Sequence, residues 1–251
     1  MLVITSWDDG HPCDLRVADL LTRYGLAGTF FVPAENREGR PVMQSAALRE
    51  LDRGFEIGGH TMTHRYLRRD IGFDAILHEI VEGKRLIEDR IGHEITAFSY
   101  PGGRSDREVV RAVKASGFSC ARTTENLRFD LGKDRWRVPT TMQFYPHGAF
   151  VLARNALRRP APSKLWTVVR RISERDFVAF VLRSAEICAR FGGVFHLWGH
   201  SWEIERHQLW PSLRSVLHLL AGLASESRTL AEAVTSAHLD NATEFNNRIA
   251  Q

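Results

Sequence analysis

The chain has 251 residues, 43% of them hydrophobic and 25% charged, with a formal net charge of +4. That is enough apolar material for a sizeable core and argues against a disordered or collagen-like chain. No run of 18 apolar residues occurs, so no membrane-spanning helix is expected. The three cysteines, Cys13, Cys120 and Cys188, are far apart and odd in number. They predict neither a disulfide framework nor a cysteine zinc site. The opening MLVITSWDDG lacks a basic lead, a long apolar region and a small-residue cleavage site, and a cytoplasmic location is the expectation. Positive charge favours an anionic substrate only weakly, because the arginines are dispersed. No nucleic-acid-binding motif or basic run stands out.

Residues 2–7 read as a buried strand that opens into Asp8-Asp9-Gly10. Helical spacing over 14–24 ends at Gly25, and 28–33 is the next strand. A helix over 45–54, a strand over 55–60 and a longer amphipathic helix over 73–91 follow. Residues 95–103 form a strand and a glycine-rich turn, 106–116 a helix, and 118–124 another strand. The proline-rich stretch 135–164 reads as an irregular insertion over the surface. A helix over 177–192, a glycine-led strand within 192–203 and a helix over 209–224 complete the pattern, and the tail lacks periodicity. Alternating strands and helices predict parallel strands covered by helices, in one domain over 1–235 with a tail over 236–251.

Polar clusters sit at the C-terminal ends of three predicted strands, the edge where parallel α/β folds build their sites. His60 and His64 are four apart, so a helical turn there puts both imidazoles on one face, able to share a cation. A solvated pair at a helix start is the plainer alternative. Asp8 and Asp9 diverge by strand alternation, so one can bind a metal while its neighbour serves as a base. The plainer reading there is an Asp-Gly turn. In HLWGHSW, strand periodicity puts His196, Trp198, His200 and Trp202 on one face. His200 is the one nearer the site, and His196 is the deeper, either a hydrogen-bonded core residue or a partner that orients His200. The indoles either pack or offer a platform to a sugar.

These residues together resemble the polysaccharide deacetylase family, the NodB-homology or carbohydrate esterase family 4 proteins. Ser6-Trp7-Asp8-Asp9-Gly10 is similar to the first motif, His60-Thr61-Met62-Thr63-His64 to the second, and Phe98–Gly103 to the third-motif loop. Leu197-Trp198-Gly199-His200 is similar to the histidine motif near the C-terminal end. The resemblance implies a distorted (β/α) barrel with fewer than eight regular strands. It implies that Asp9, His60 and His64 bind one divalent metal, usually zinc, with Asp8 as general base and His200 as general acid. The loop of Tyr100, Gly102 and Gly103 is then expected to supply an oxyanion-binding N–H, with Trp202 near the substrate. The sequence departs from the family at Ser99, where many members carry an arginine, and Arg122 or Arg104 is the expected substitute. The family's acidic fourth motif is not recognisable, and His11 reads as a loop residue.

The implied substrate is an acetylated amino sugar, small or linked to a nucleotide or lipid carrier. The same machinery on a formyl or cyclic amide, or an inactive carbohydrate-binding homologue, are the alternatives.

Overall fold

A computed structural model describes residues 1–146 and 176–237. The strands are β1 (Leu2–Asp8), β2 (Thr29–Val32), β3 (Glu56–Gly59), β4 (Ala97–Ser99), β5 (Cys120–Arg122), β6 (Met142–Gln143), β7 (Val194–Gly199) and β8 (Glu226–Ser227). They pair in the order β5-β4-β3-β2-β1-β7-β6, with β8 added beside β1, and every pairing is parallel. Parallel strands need crossovers, and helices supply most of them. These helices are α1 (Asp14–Tyr24), α2 (Ser45–Asp52), α3 (Phe73–Ile91), α4 (Arg107–Ala115), α5 (Phe177–Phe191), α6 (Ser201–Arg206) and α7 (Trp210–Leu223). In the outer layer α5 packs on α7, α7 on α1, and α1, α2, α3 and α4 follow in turn. Residues 230–237 are also helical. The result is the distorted parallel barrel that the resemblance implies, in one domain.

Coverage by helices explains the composition of the strands. Every residue of β1 after Leu2 is buried, which is why it reads as an apolar run without alternation. Helix α3 occupies the predicted span and turns Ile76, Ile80 and Ile87 inward. Asp106 caps α4, its carboxylate accepting the N–H groups of Glu108 and Val109 at 3.0 and 3.1 Å.

The stretch 135–164 differs from expectation over its described part. Residues 135–146 are irregular, yet they do not wander over the surface. Val138 forms a parallel bridge with Arg122, and Met142 pairs with Leu197 of β7. Val138, Thr140, Thr141, Met142 and Phe144 are buried. This segment therefore spans the gap between β5 and β7 as a piece of barrel wall. Its prolines mark broken strand geometry, and its backbone groups find partners on both sides. Residues 147–164 and the expected tail beyond 237 lie outside the described residues.

No helix among the described residues is long and apolar enough to cross a membrane.

Candidate active site

Because all strands run the same way, their C-terminal ends share one rim. Asp8 ends β1, His60 follows β3, Ser99 ends β4, Arg122 ends β5 and His200 follows β7. The chain turns sharply after β1, where Asp9 has φ 81°. Few side chains accept that region, and Asp is among those that do. The turn lets two consecutive carboxylates serve different partners, as the alternation argument anticipated.

Asp9 Oδ1 lies 3.1 Å from His64 Nε2 and 3.7 Å from His60 Nε2. All three residues are buried, and their nearest donor atoms fall within 4.8 Å of one another. Asp9 Oδ1 has no hydrogen-bond partner among the described residues. An orphaned buried carboxylate oxygen facing two imidazoles costs free energy unless a cation compensates it, so the set fits a divalent metal. His60 Nδ1 bonds the Ser99 carbonyl at 2.8 Å. A carbonyl only accepts, so Nδ1 carries the proton and Nε2 keeps its lone pair for a metal. Burial pushes the His60 pKa down to about 4, which keeps the ring neutral.

The expected helical turn at His60–His64 is not formed. Thr61 and His64 take φ of 67° and 57°, and the segment is a loop. Its shape comes from α3. The Met62 N–H donates to the Glu79 carbonyl at 2.8 Å, and the buried Glu79 carboxylate accepts the Thr63 N–H and hydroxyl at 3.0 and 2.8 Å. Helix and loop touch at Gly83, where a Cβ would lie 2.5 Å from the Thr61 carbonyl carbon. Sequence reasoning missed Glu79. The signal was an acidic residue on the stripe of Ile76, Ile80 and Ile87.

Asp8 belongs to a second group. Arg122, fully buried, bonds both Asp8 oxygens, and the same nitrogen reaches Ser99 Oγ at 2.8 Å. Burial raises the Asp8 pKa, but Arg122, His60 and His200 together outweigh it and hold the carboxyl below its ordinary value. Arg122 thus braces the carboxylate where Ser99 cannot. Ser99 and Arg122 are register partners across β4 and β5, so the guanidinium comes from the strand beside Ser99. No contact of Arg104 with Asp8 occurs among the described residues; its side chain is exposed beside Ser105 and Asp106.

His196 is a core residue. Its Nδ1 faces the Pro139 carbonyl at 3.3 Å, and its Nε2 pairs with Ser6 Oγ at 2.9 Å. Burial, with Arg122 nearby, pushes its pKa down to about 3. His200 stands nearer the rim, its Nδ1 2.7 Å from Glu203 Oε2. Burial lowers its pKa, but the Glu203 bond and the charges of Asp9 and Asp8 override this and raise it to about 9. Glu203, one turn along α6, supplies the acidic partner that no sequence motif revealed.

Trp202 does not continue the strand face, because β7 ends at Gly199 and α6 begins at Ser201. Its indole N–H donates to Asp9 Oδ2 at 2.8 Å, and the Arg40 guanidinium lies 4.3 Å over its ring. It holds the Asp9 carboxylate in place, with one indole face already covered. Tyr100 is buried, its hydroxyl donating to the Trp136 carbonyl at 2.9 Å and its N–H to the Arg122 carbonyl at 3.2 Å. The Gly103 N–H is taken by the Tyr100 carbonyl at 2.8 Å. Both N–H groups are thus engaged by backbone carbonyls. Gly102 is exposed, and its N–H has no partner among the described residues.

Glu203→Gln is expected to shift the alkaline limb of activity. A protonated His200 is lost as pH rises through about 9. Without the Glu203 charge that limb moves down toward the ordinary histidine value of about 6.5. A pH–rate profile that stays in place would exclude the coupling.

A family model described as polysaccharide deacetylase matches residues 1–121. A peptidoglycan-N-acetylglucosamine deacetylase of Bacillus cereus is 29% identical over 119 residues, 47% of this chain and 54% of that protein. The matches span about half the length of the curated relatives. Among solved structures, a Mycobacterium smegmatis protein described as a polysaccharide deacetylase superposes with a TM-score of 0.64 at 14% identity, covering 94% of this chain and 91% of that one. A family 4 acetyl xylan esterase from Clostridium thermocellum, in complex with a cobalt ion, gives 0.56 at 18% identity with the same coverage. These structures share the fold. Over residues 1–121, which carry the Asp-His-His set and Asp8, the chain matches the polysaccharide deacetylase family model.

Proposed function

We propose that this protein is a metal-dependent hydrolase that removes the acetyl group from the nitrogen of an amino sugar. The observation that carries the reading is the buried set of Asp9, His60 and His64 beside a separate carboxylate, Asp8, braced by Arg122. Two imidazoles and one carboxylate suit zinc with coordination positions left open. When bound, such a cation would supply Lewis-acid chemistry, polarising the acyl group and making the attacking water more acidic. Asp8 accepts the proton of the attacking water. The Gly102 N–H is the loop's available donor for the developing oxyanion. His200 gives its proton to the departing nitrogen through Nε2, while Glu203 holds Nδ1. Acetate and a free amine leave. The relative named for acetylated glucosamine supports the substrate class.

Incubation with acetylated amino sugars, reading acetate and amine together, tests this. Formate in place of acetate would move the reading to a formyl amide, and no release with a loaded metal site would overturn it. Metal analysis gives a second check. About one divalent ion per chain is expected, and its loss is expected in His60→Ala and in His64→Ala.

A further inference from the structure

One aromatic ring stands open to solvent at the mouth of this site. Tyr66, two residues beyond His64, is 47% exposed. Its ring meets His64 edge-on with centroids 6.1 Å apart. It also lies against Gly102, where a Cβ would come 3.1 Å from Tyr66 Cε1. The ring therefore touches both a proposed metal ligand and the loop with the unpartnered N–H. A single exposed aromatic is ordinary on a protein surface. What lies beside it is not.

The next residue, Leu67, lines an open cavity of about 420 Å³ together with Arg68, Arg69, Asp70, Arg104, Ser105 and Asp106. Asp70 is paired with Arg68 at 3.2 Å, and Asp106 is occupied in capping α4. Arg69 reaches Glu108 at 3.3 Å. Arg104 has no carboxylate partner among the described residues. Exposed ion pairs of this kind are weak, so a ligand anion competes for these guanidiniums at little cost.

We propose that this face is a subsite for an acidic sugar unit or sugar phosphate adjoining the acetylated residue. Tyr66 stacks against the sugar ring, and Arg104 with Arg68 and Arg69 takes the carboxylate or phosphate. This rests on the deacetylase reading and narrows its substrate to an anionic glycan.

Calorimetric titration of the full chain at low ionic strength tests it with three probes: N,N′-diacetylchitobiose, a glucuronyl-N-acetylglucosamine disaccharide, and N-acetylglucosamine 1-phosphate. At least one anionic probe is expected to bind about tenfold tighter than chitobiose, and the preferred one tells carboxylate from phosphate. Arg104→Gln removes that margin without changing chitobiose affinity, and Tyr66→Ala weakens all binding. Equal affinities, no binding of any probe, or a margin that survives Arg104→Gln combined with Arg69→Gln overturns the proposal. Acetate release is measured separately, so the deacetylase reading can fail while the binding preference stands.

Discussion

Asp8→Asn is expected to lower kcat by about 10²–10⁴-fold while the metal stays bound. The amide keeps the shape of the carboxylate and can still accept a bond from Arg122, but it cannot take up a proton. The proposed cation set does not include residue 8, since the converging donor atoms are those of Asp9, His60 and His64. Metal content and steady-state rate measured on the same preparation separate the two roles. Near-native turnover would remove Asp8 as the base. Loss of the metal would assign it to coordination instead.

The second large effect concerns stability. Arg122 and Asp8 are both buried, and the guanidinium also lies 4.8 Å from the Trp198 ring centroid. Arg122→Leu leaves a buried carboxylate without its counter-charge, a change that typically costs about 3–5 kcal/mol. Urea denaturation should show that loss. Adding Asp8→Asn to Arg122→Leu should recover part of it, because a neutral amide is less costly to bury alone. Strict additivity of the two changes would mean that the pair does not act as a unit.

Elements were legible in the sequence wherever a local pattern decides them. The continuous apolar run of β1 and the 3.6-residue stripe of α3 are of that kind. The convergence of Asp9, His60 and His64 was legible for a topological reason, as each residue follows a parallel strand and such strands end on one rim. What escaped depends on pairing across the chain. His60 and His64 have helical spacing, but their loop is shaped by Glu79, and a four-residue interval carries no trace of that. Arg122 could be named only as one of two candidates until the β4–β5 register placed it beside Ser99. Trp202 looked like a sugar platform because a strand pattern was extended past its end, where α6 takes over. Residues 135–146 read as an insertion because their backbone bonds reach to β5 and β7, leaving no periodicity of their own.

The contact at Gly83 has a consequence for how such a centre is tuned or lost. The two histidines sit on a segment without regular structure, and a helix of the outer layer is the mould for it. Any side chain at position 83 must push the backbone of Thr61 and Met62 aside. Cation affinity can therefore drift through changes in the outer shell of the barrel, with every ligand still in place. A homologue could fall silent by that route while its motifs read as intact.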